Sequence, residues 1–184
     1  MKKKLLTLLF MTMSLTATAQ RLAFNTDAAW DLFMTPTLGA EMTVGDRSTV
    51  GMTVKGNYRP WGLPMKMFVV QPEYRYYFSG RVMNNMFVGL GALATFHDIT
   101  YDGKVYDGIA YGGGVTFGYV FKLTRRLRLD CHAGMAMTGY RRKEYYDGDN
   151  YNHDYVIDGI IKTNATGVSL MPYKLGVSLS YIIH

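Results

Sequence analysis

His132 stands two residues beyond Asp130 and four beyond Arg128 in the run Leu127–Thr138. A histidine beside a carboxylate can activate a hydroxyl nucleophile, so with a serine this trio fits a lipid-modifying deacylase or acyltransferase. A core histidine hydrogen-bonded to a carboxylate has the same make-up, and the serines are scattered rather than placed beside it. Glu73 and Arg75, two apart on one side of a segment, read as core electrostatics facing Lys55 and Glu41, with no second carboxylate assured for a proton relay. His97, Asp98, His153 and Asp154 fit no compact metal motif. Asp147-Gly148-Asp149-Asn150 lacks the closing glutamate of a calcium-binding EF-hand loop. No catalytic, cofactor-binding or metal-ligating residue is assigned on these patterns, and no cofactor is expected.

The binding candidates lie further along the chain. Tyr145, Tyr146, Asp147, Asp149, Tyr151, His153 and Tyr155 form a segment rich in tyrosine and aspartate. Tyrosine offers a large contact area for little entropy, as in recognition loops; a plain solvated hairpin shares that composition. Arg141, Arg142 and Lys143 precede it, where they suit the phosphates of lipopolysaccharide or make a generic charged rim.

The elements that must hold these residues alternate with a period of two, the signature of strands. Tyr173, Leu175, Val177, Leu179, Tyr181 and Ile183 oppose Lys174, Gly176, Ser178 and Ser180, and Leu127–Thr138 and Ile109–Lys122 repeat the pattern. Leu22–Leu32, Thr37–Gly45, Ser48–Tyr58, Lys66–Phe78 and Met86–Phe96 complete a set of eight, with Val88, Leu90, Ala92 and Ala94 outward on the last. Connections alternate between short turns, such as Gly45-Asp46-Arg47, and longer joins at His97–Asp107 and Arg141–Ser169. Short turns at one end and long loops at the other characterise outer-membrane strands. The pattern therefore predicts an all-β fold: a single antiparallel up-and-down transmembrane β-barrel of eight strands.

The strand charges share the glycine-rich face. Turned inward, that face collects Asp27, Glu41, Glu73 and Asp130 with Lys55, Arg75, Arg128 and Lys174, four acids with four bases. Balance matters, because an unpaired buried charge costs several kcal/mol. Eight strands leave a lumen only wide enough for side chains, so a plugged core is expected rather than a channel. Outward aromatics form two belts: Phe24, Tyr76, Phe78, Tyr119, Phe121 and Tyr181 at one end, and Trp30, Tyr58, Phe96, Tyr111 and Tyr173 at the other. Pro72, which cannot donate a ladder bond, marks an expected bulge or kink.

The ends fix the compartment. Met1-Lys2-Lys3-Lys4, an apolar run from Leu5 to Leu15 and Thr16-Ala17-Thr18-Ala19 have the three parts of a secretory signal peptide. Cleavage after Ala19 leaves one domain over residues 20–184 and lowers the formal net charge from +6 to +3. That excess is spread along the sequence, with no basic block for nucleic acid. The single cysteine, Cys131, excludes an internal disulfide.

Pro36–Glu41, Tyr58-Arg59-Pro60-Trp61, Val70-Gln71-Pro72-Glu73-Tyr74-Arg75-Tyr76 and Phe87-Val88-Gly89-Leu90 resemble an uncharacterised Bacteroidota family of short outer-membrane β-barrels, often encoded near fimbrial genes. The resemblance runs from about Asn25 to Tyr140 and leaves Arg141–Ser169 unmatched. It implies fold and location, with no catalytic residue to carry over. The expectation is a small non-enzymatic outer-membrane protein with a structural or surface-binding, adhesin-like or fimbria-associated role. Its partners would be outer-membrane lipid and lipopolysaccharide, the outer-membrane assembly machinery and a fimbrial or host surface. A lipid-modifying enzyme is the alternative, and a narrow pore ranks last.

Overall fold

A computed structural model describes residues 21–151, 156–157, 160–161 and 164–183. The signal peptide expected over residues 1–19, together with His153 and Tyr155, lies outside the described residues.

Alternating side chains give strands β1 (Leu22–Asp27), β2 (Thr37–Gly45), β3 (Ser48–Tyr58), β4 (Met65–Tyr77), β5 (Asn85–Tyr101), β6 (Lys104–Lys122), β7 (Leu127–Tyr146) and β10 (Ala165–Ile182). They pair antiparallel in the ring order β1-β10-β7-β6-β5-β4-β3-β2. A separate two-stranded sheet joins β8 (Val156–Ile157) to β9 (Ile160–Ile161). From β1 to β7 and on to β10, strand lengths run 6, 9, 11, 13, 17, 19, 20 and 18 residues. The tallest wall therefore meets the shortest strand at the seam between β10 and β1.

That seam corrects the expectation of a single closed transmembrane barrel. The fold is an eight-stranded antiparallel sheet with ring-like hydrogen bonding, not a wall closed along its height. β1 is far shorter than the about 9–11 residues a membrane-crossing strand needs. It pairs with β10 only from Ala23↔Ile182 to Asp27↔Ser178. Beyond Asp27 the chain leaves the ladder as helix α1 (Ala28–Leu32), where Leu22–Leu32 had been expected to be all strand. The cause is local: the Asp27 carboxylate accepts from Ala29 N at 3.1 Å and Trp30 N at 3.4 Å, capping the helix.

Side chains stand in for the missing strand. Continuing the register would set Trp30 opposite Leu175, and there the Trp30 indole donates to the Leu175 carbonyl at 3.1 Å. On the β2 side, Asp31 accepts from Thr37 N at 2.9 Å, while the Thr26 hydroxyl donates to the Thr37 carbonyl at 2.7 Å. Pro172, which has no N–H to satisfy, lies on the unpaired stretch of β10. The register with β7 slips between Pro172 and Lys174. This bulge turns Tyr173 inward beside Lys174, so Tyr173 is buried and not part of an outer belt. At Pro72, where a bulge or kink was expected, β3 and β4 stay in register, while the β4–β5 pairing lapses at Gln71 and Pro72 and resumes in the same register at Glu73.

The other departures lie at the tall side. Val105↔Tyr145 and Lys104↔Tyr146 still pair, and a tight turn at Asp102-Gly103, both at positive φ, joins β5 to β6. Much of the expected loops His97–Asp107 and Arg141–Ser169 is thus strand. Outward faces carry large apolar side chains, among them Leu38, Met52, Leu90, Phe117, Met137, Leu170 and Leu175, all more than half exposed. At the end that holds the short turns, the β4–β5 connection folds inward. Its Val82 and Met83 join Ala23, Tyr77, Phe87, Val120 and Ile182 in an apolar plug.

Candidate functional site

Above the plug lies an ionic floor. The inward parity of each strand buries all eight charged residues, Asp27, Glu41, Lys55, Glu73, Arg75, Arg128, Asp130 and Lys174. Arg75 ties three strands together, reaching Glu73 at 2.7 Å, Asp130 at 2.7 Å and Glu41 at 3.2 Å. Lys174 meets Glu73 at 2.7 Å, and Glu41 also accepts from Tyr77 and Thr49. His132 sits between two carboxylates, with Nε2 3.3 Å from Asp27 and Nδ1 3.5 Å from Asp130. That arrangement orients a histidine within a core, and among the described residues no serine hydroxyl bonds to it.

Two of the four bases do not meet an acid. Arg128 donates to the carbonyls of Met83, Thr124 and Leu127, pinning the plug to the β6–β7 turn. Lys55 has its ammonium 3.9 Å from the Trp30 ring centroid. Among the described residues no carboxylate lies within ion-pairing distance of it.

On this floor opens a cavity of about 1000 Å³, at the upper end of the size range of ligand pockets. Its wall is mostly apolar and aromatic, from Met67, Val69, Leu93, Ile99, Ala110 and Tyr173 inside the ring to Trp30 on α1 and Phe33 just after it. Sequence parity could not reveal it, because it exists only where β1 stops and where the bulge turns Tyr173 inward. His97, expected in a loop, lies in β5 on its wall.

The tall strands form its mouth. Arg142 turns to the mouth, bonding Glu144 at 2.8 Å and lying over the rings of Tyr140 and Tyr106, while Lys104 reaches Glu144 from β6 at 2.7 Å. Lys143 lies over the buried Tyr151 ring, which packs 5.4 Å from Tyr145. Arg141 is exposed. Arg141, Arg142 and Lys143 therefore do not act as one patch, since strand alternation sends Arg142 to the opposite face. Tyr145 and Tyr146 belong to β7 rather than to a free loop; Asp147 follows and donates its N–H to Gly103 at 2.8 Å.

The opposite end carries a feature that reading along the sequence missed. Arg21, Arg47, Arg81, Lys122, Arg125 and Arg126 line one basin with Asp46, because every short turn brings a base to the same rim. Bases dispersed in sequence thus converge in space. Among the described residues, no group of three or more His, Cys, Asp or Glu could hold a metal ion. None of their helices is long and apolar enough to cross a membrane.

A family model described as "Protein of unknown function (DUF3575)" matches residues 5–183. The chain belongs to the DUF3575 family. The DUF3575 match takes in the segment 141–169, which the sequence resemblance had left out, and brings no taxonomic or fimbrial link. No curated protein matches this DUF3575 chain. Among solved structures it is similar to Neisserial surface protein A, at 16% identity and TM-score 0.42 over 88% of this chain and 93% of that one.

Proposed function

We propose that this DUF3575 chain is a non-enzymatic outer-membrane protein with a structural or surface-binding role, carried by its tall side. The observation that supports this reading is the overhang of β5, β6, β7 and β10. At 17 to 20 residues each, they outrun the about 9–11 residues that the hydrocarbon layer requires. The surplus bears tyrosines, an ion-paired glutamate and two lysines, a surface rich in contact area and hydrogen-bonding groups. The outward apolar face suits lipid, and in this reading lipopolysaccharide phosphates pair with Arg141 and Lys143 at the rim. A fimbrial or host surface is the partner class, and insertion falls to the outer-membrane assembly machinery.

Two measurements test this. In a Cys131→Ser background, an impermeant maleimide should label Asp147→Cys on intact cells and Asp46→Cys only after permeabilisation. Equal labelling of both on intact cells rejects the orientation. Deleting residues 147–155 should leave outer-membrane fractionation unchanged and remove adhesion of intact cells to host-cell or fimbriated surfaces. Unchanged adhesion rejects the role of the overhang.

A further inference from the structure

The cavity has a charge pattern and an opening that together define an occupant. Its lining includes Lys55 and Arg142 but no aspartate or glutamate. Arg142 is bonded to Glu144, whereas among the described residues Lys55 has the Trp30 ring as its close contact and feels Asp27 only from beyond ion-pairing distance, Asp27 being engaged by His132 and by the start of α1. A second group on the same wall is incomplete. Gln71, 2% exposed, gives its Nε2 to the Tyr173 carbonyl at 2.8 Å, while its Oε1 has no partner. Both groups lie on the wall of a largely apolar chamber, and because Gln71 Oε1 can only accept, it is the Lys55 ammonium that can engage an anion. Such groups are costly unless something completes them.

The opening lies at the seam. Elsewhere the cavity is lined by inward side chains alone, but along β10 it touches both faces. Val168 and Leu175, 71% and 63% exposed on the outer surface, line it together with the inward Tyr173. Phe33, directly after α1 and also exposed, completes the far side of the gap. Where β1 is missing, the chamber continues through the wall to the apolar exterior.

We propose that the cavity binds a single-chain amphiphile of the fatty-acid class. Its carboxylate pairs with Lys55, and its alkyl chain runs along Leu93, Val69 and Tyr173 toward the seam. The charge selects an anionic head, the apolar wall selects a hydrocarbon tail, and the gap between α1 and β10 admits the chain sideways. This binding site does not depend on the surface role proposed above.

Trp30 reports on it directly. The full mature chain carrying Trp61→Phe, so that Trp30 alone emits, is placed in lipid nanodiscs and titrated with bromododecanoate. Saturable quenching is expected, and the uncharged bromododecanol should bind at least about tenfold more weakly, the loss of one charge-assisted contact. Lys55→Gln should weaken bromododecanoate by a similar factor and leave bromododecanol unchanged. Asp27, the carboxylate whose charge acts on Lys55, keeps its contacts to His132 and to the start of α1 in this variant, so no acid is left without a partner. Leu93→Trp, read by displacement of a radiolabelled dodecanoate, should block the chamber with Lys55 intact. Quenching that never saturates, or equal affinity for acid and alcohol, overturns the proposal. Tighter binding of a bromoalkyl phosphate than of the carboxylate overturns the assignment of the head group.

Discussion

The two sides of the ring solve the same problem differently. β1 to β4 are short, and where β1 ends the wall is completed by α1 and the side chains of Thr26, Trp30 and Asp31. β5 to β7 and β10 are long and stay hydrogen-bonded to their tips. In the first region the backbone groups of a sheet edge are satisfied one at a time by side chains; in the second they are satisfied by the ladder itself. Ladder closure gives uniform walls and little room, whereas side-chain closure leaves a gap. The cavity lies at that gap, and its mouth is framed by the taller strands.

The comparison breaks most completely at the residue that spans both sides. Arg75→Met would leave Glu41 and Asp130 without their cation and Glu73 with Lys174 alone, costing about 3–5 kcal/mol. The expected outcome is loss of the folded, heat-modifiable form on gels and a collapsed urea midpoint, and a near-normal midpoint would mean that the network contributes little. The next largest effect is at the seam. Asp27→Ala removes the cap of α1 and one carboxylate beside His132, for roughly 2 kcal/mol. Amide exchange should then quicken in α1 and along the unpaired stretch of β10 while β5–β7 stay protected. Uniform loss of protection would show that the seam is not a separate unit.

The smallest effect sharpens the comparison at the tall tips. Hydrogen bonds from Lys104 and Arg142 hold the Glu144 carboxyl below its usual range. A depressed carboxylate stabilises the folded state at neutral pH, and that contribution is lost as acid titrates the folded group. Below the ordinary glutamate range, exchange at the β6–β7 tips should rise in the wild type, and Glu144→Gln should flatten this dependence. An identical acid response in both proteins would remove Glu144 as its source.

What the sequence made legible follows from what alternation encodes. β2 and β3 lie where the pattern set them, Thr37–Gly45 and Ser48–Tyr58, because a polar turn separates two clean alternating runs. Parity also identified the inward charges, but it assigns a face and not a height around the ring. It therefore could not tell that Lys55 and Arg128 would miss the acids. α1 is too short for a helical period to register, and its one sign was an aspartate before Ala28-Ala29. A single-residue slip at Pro172 inverted Tyr173 without altering composition. Past Tyr140 the strands carry polar or aromatic groups on both faces, so the contrast that marks a strand fades although the ladder continues. The cavity is the sum of these hidden features.

Val82 and Met83, tucked into the far end and held by Arg128, make the chamber a cul-de-sac. A molecule that enters must leave by the mouth between the tall strands or by the seam beside β10, since the short-turn end is closed to it.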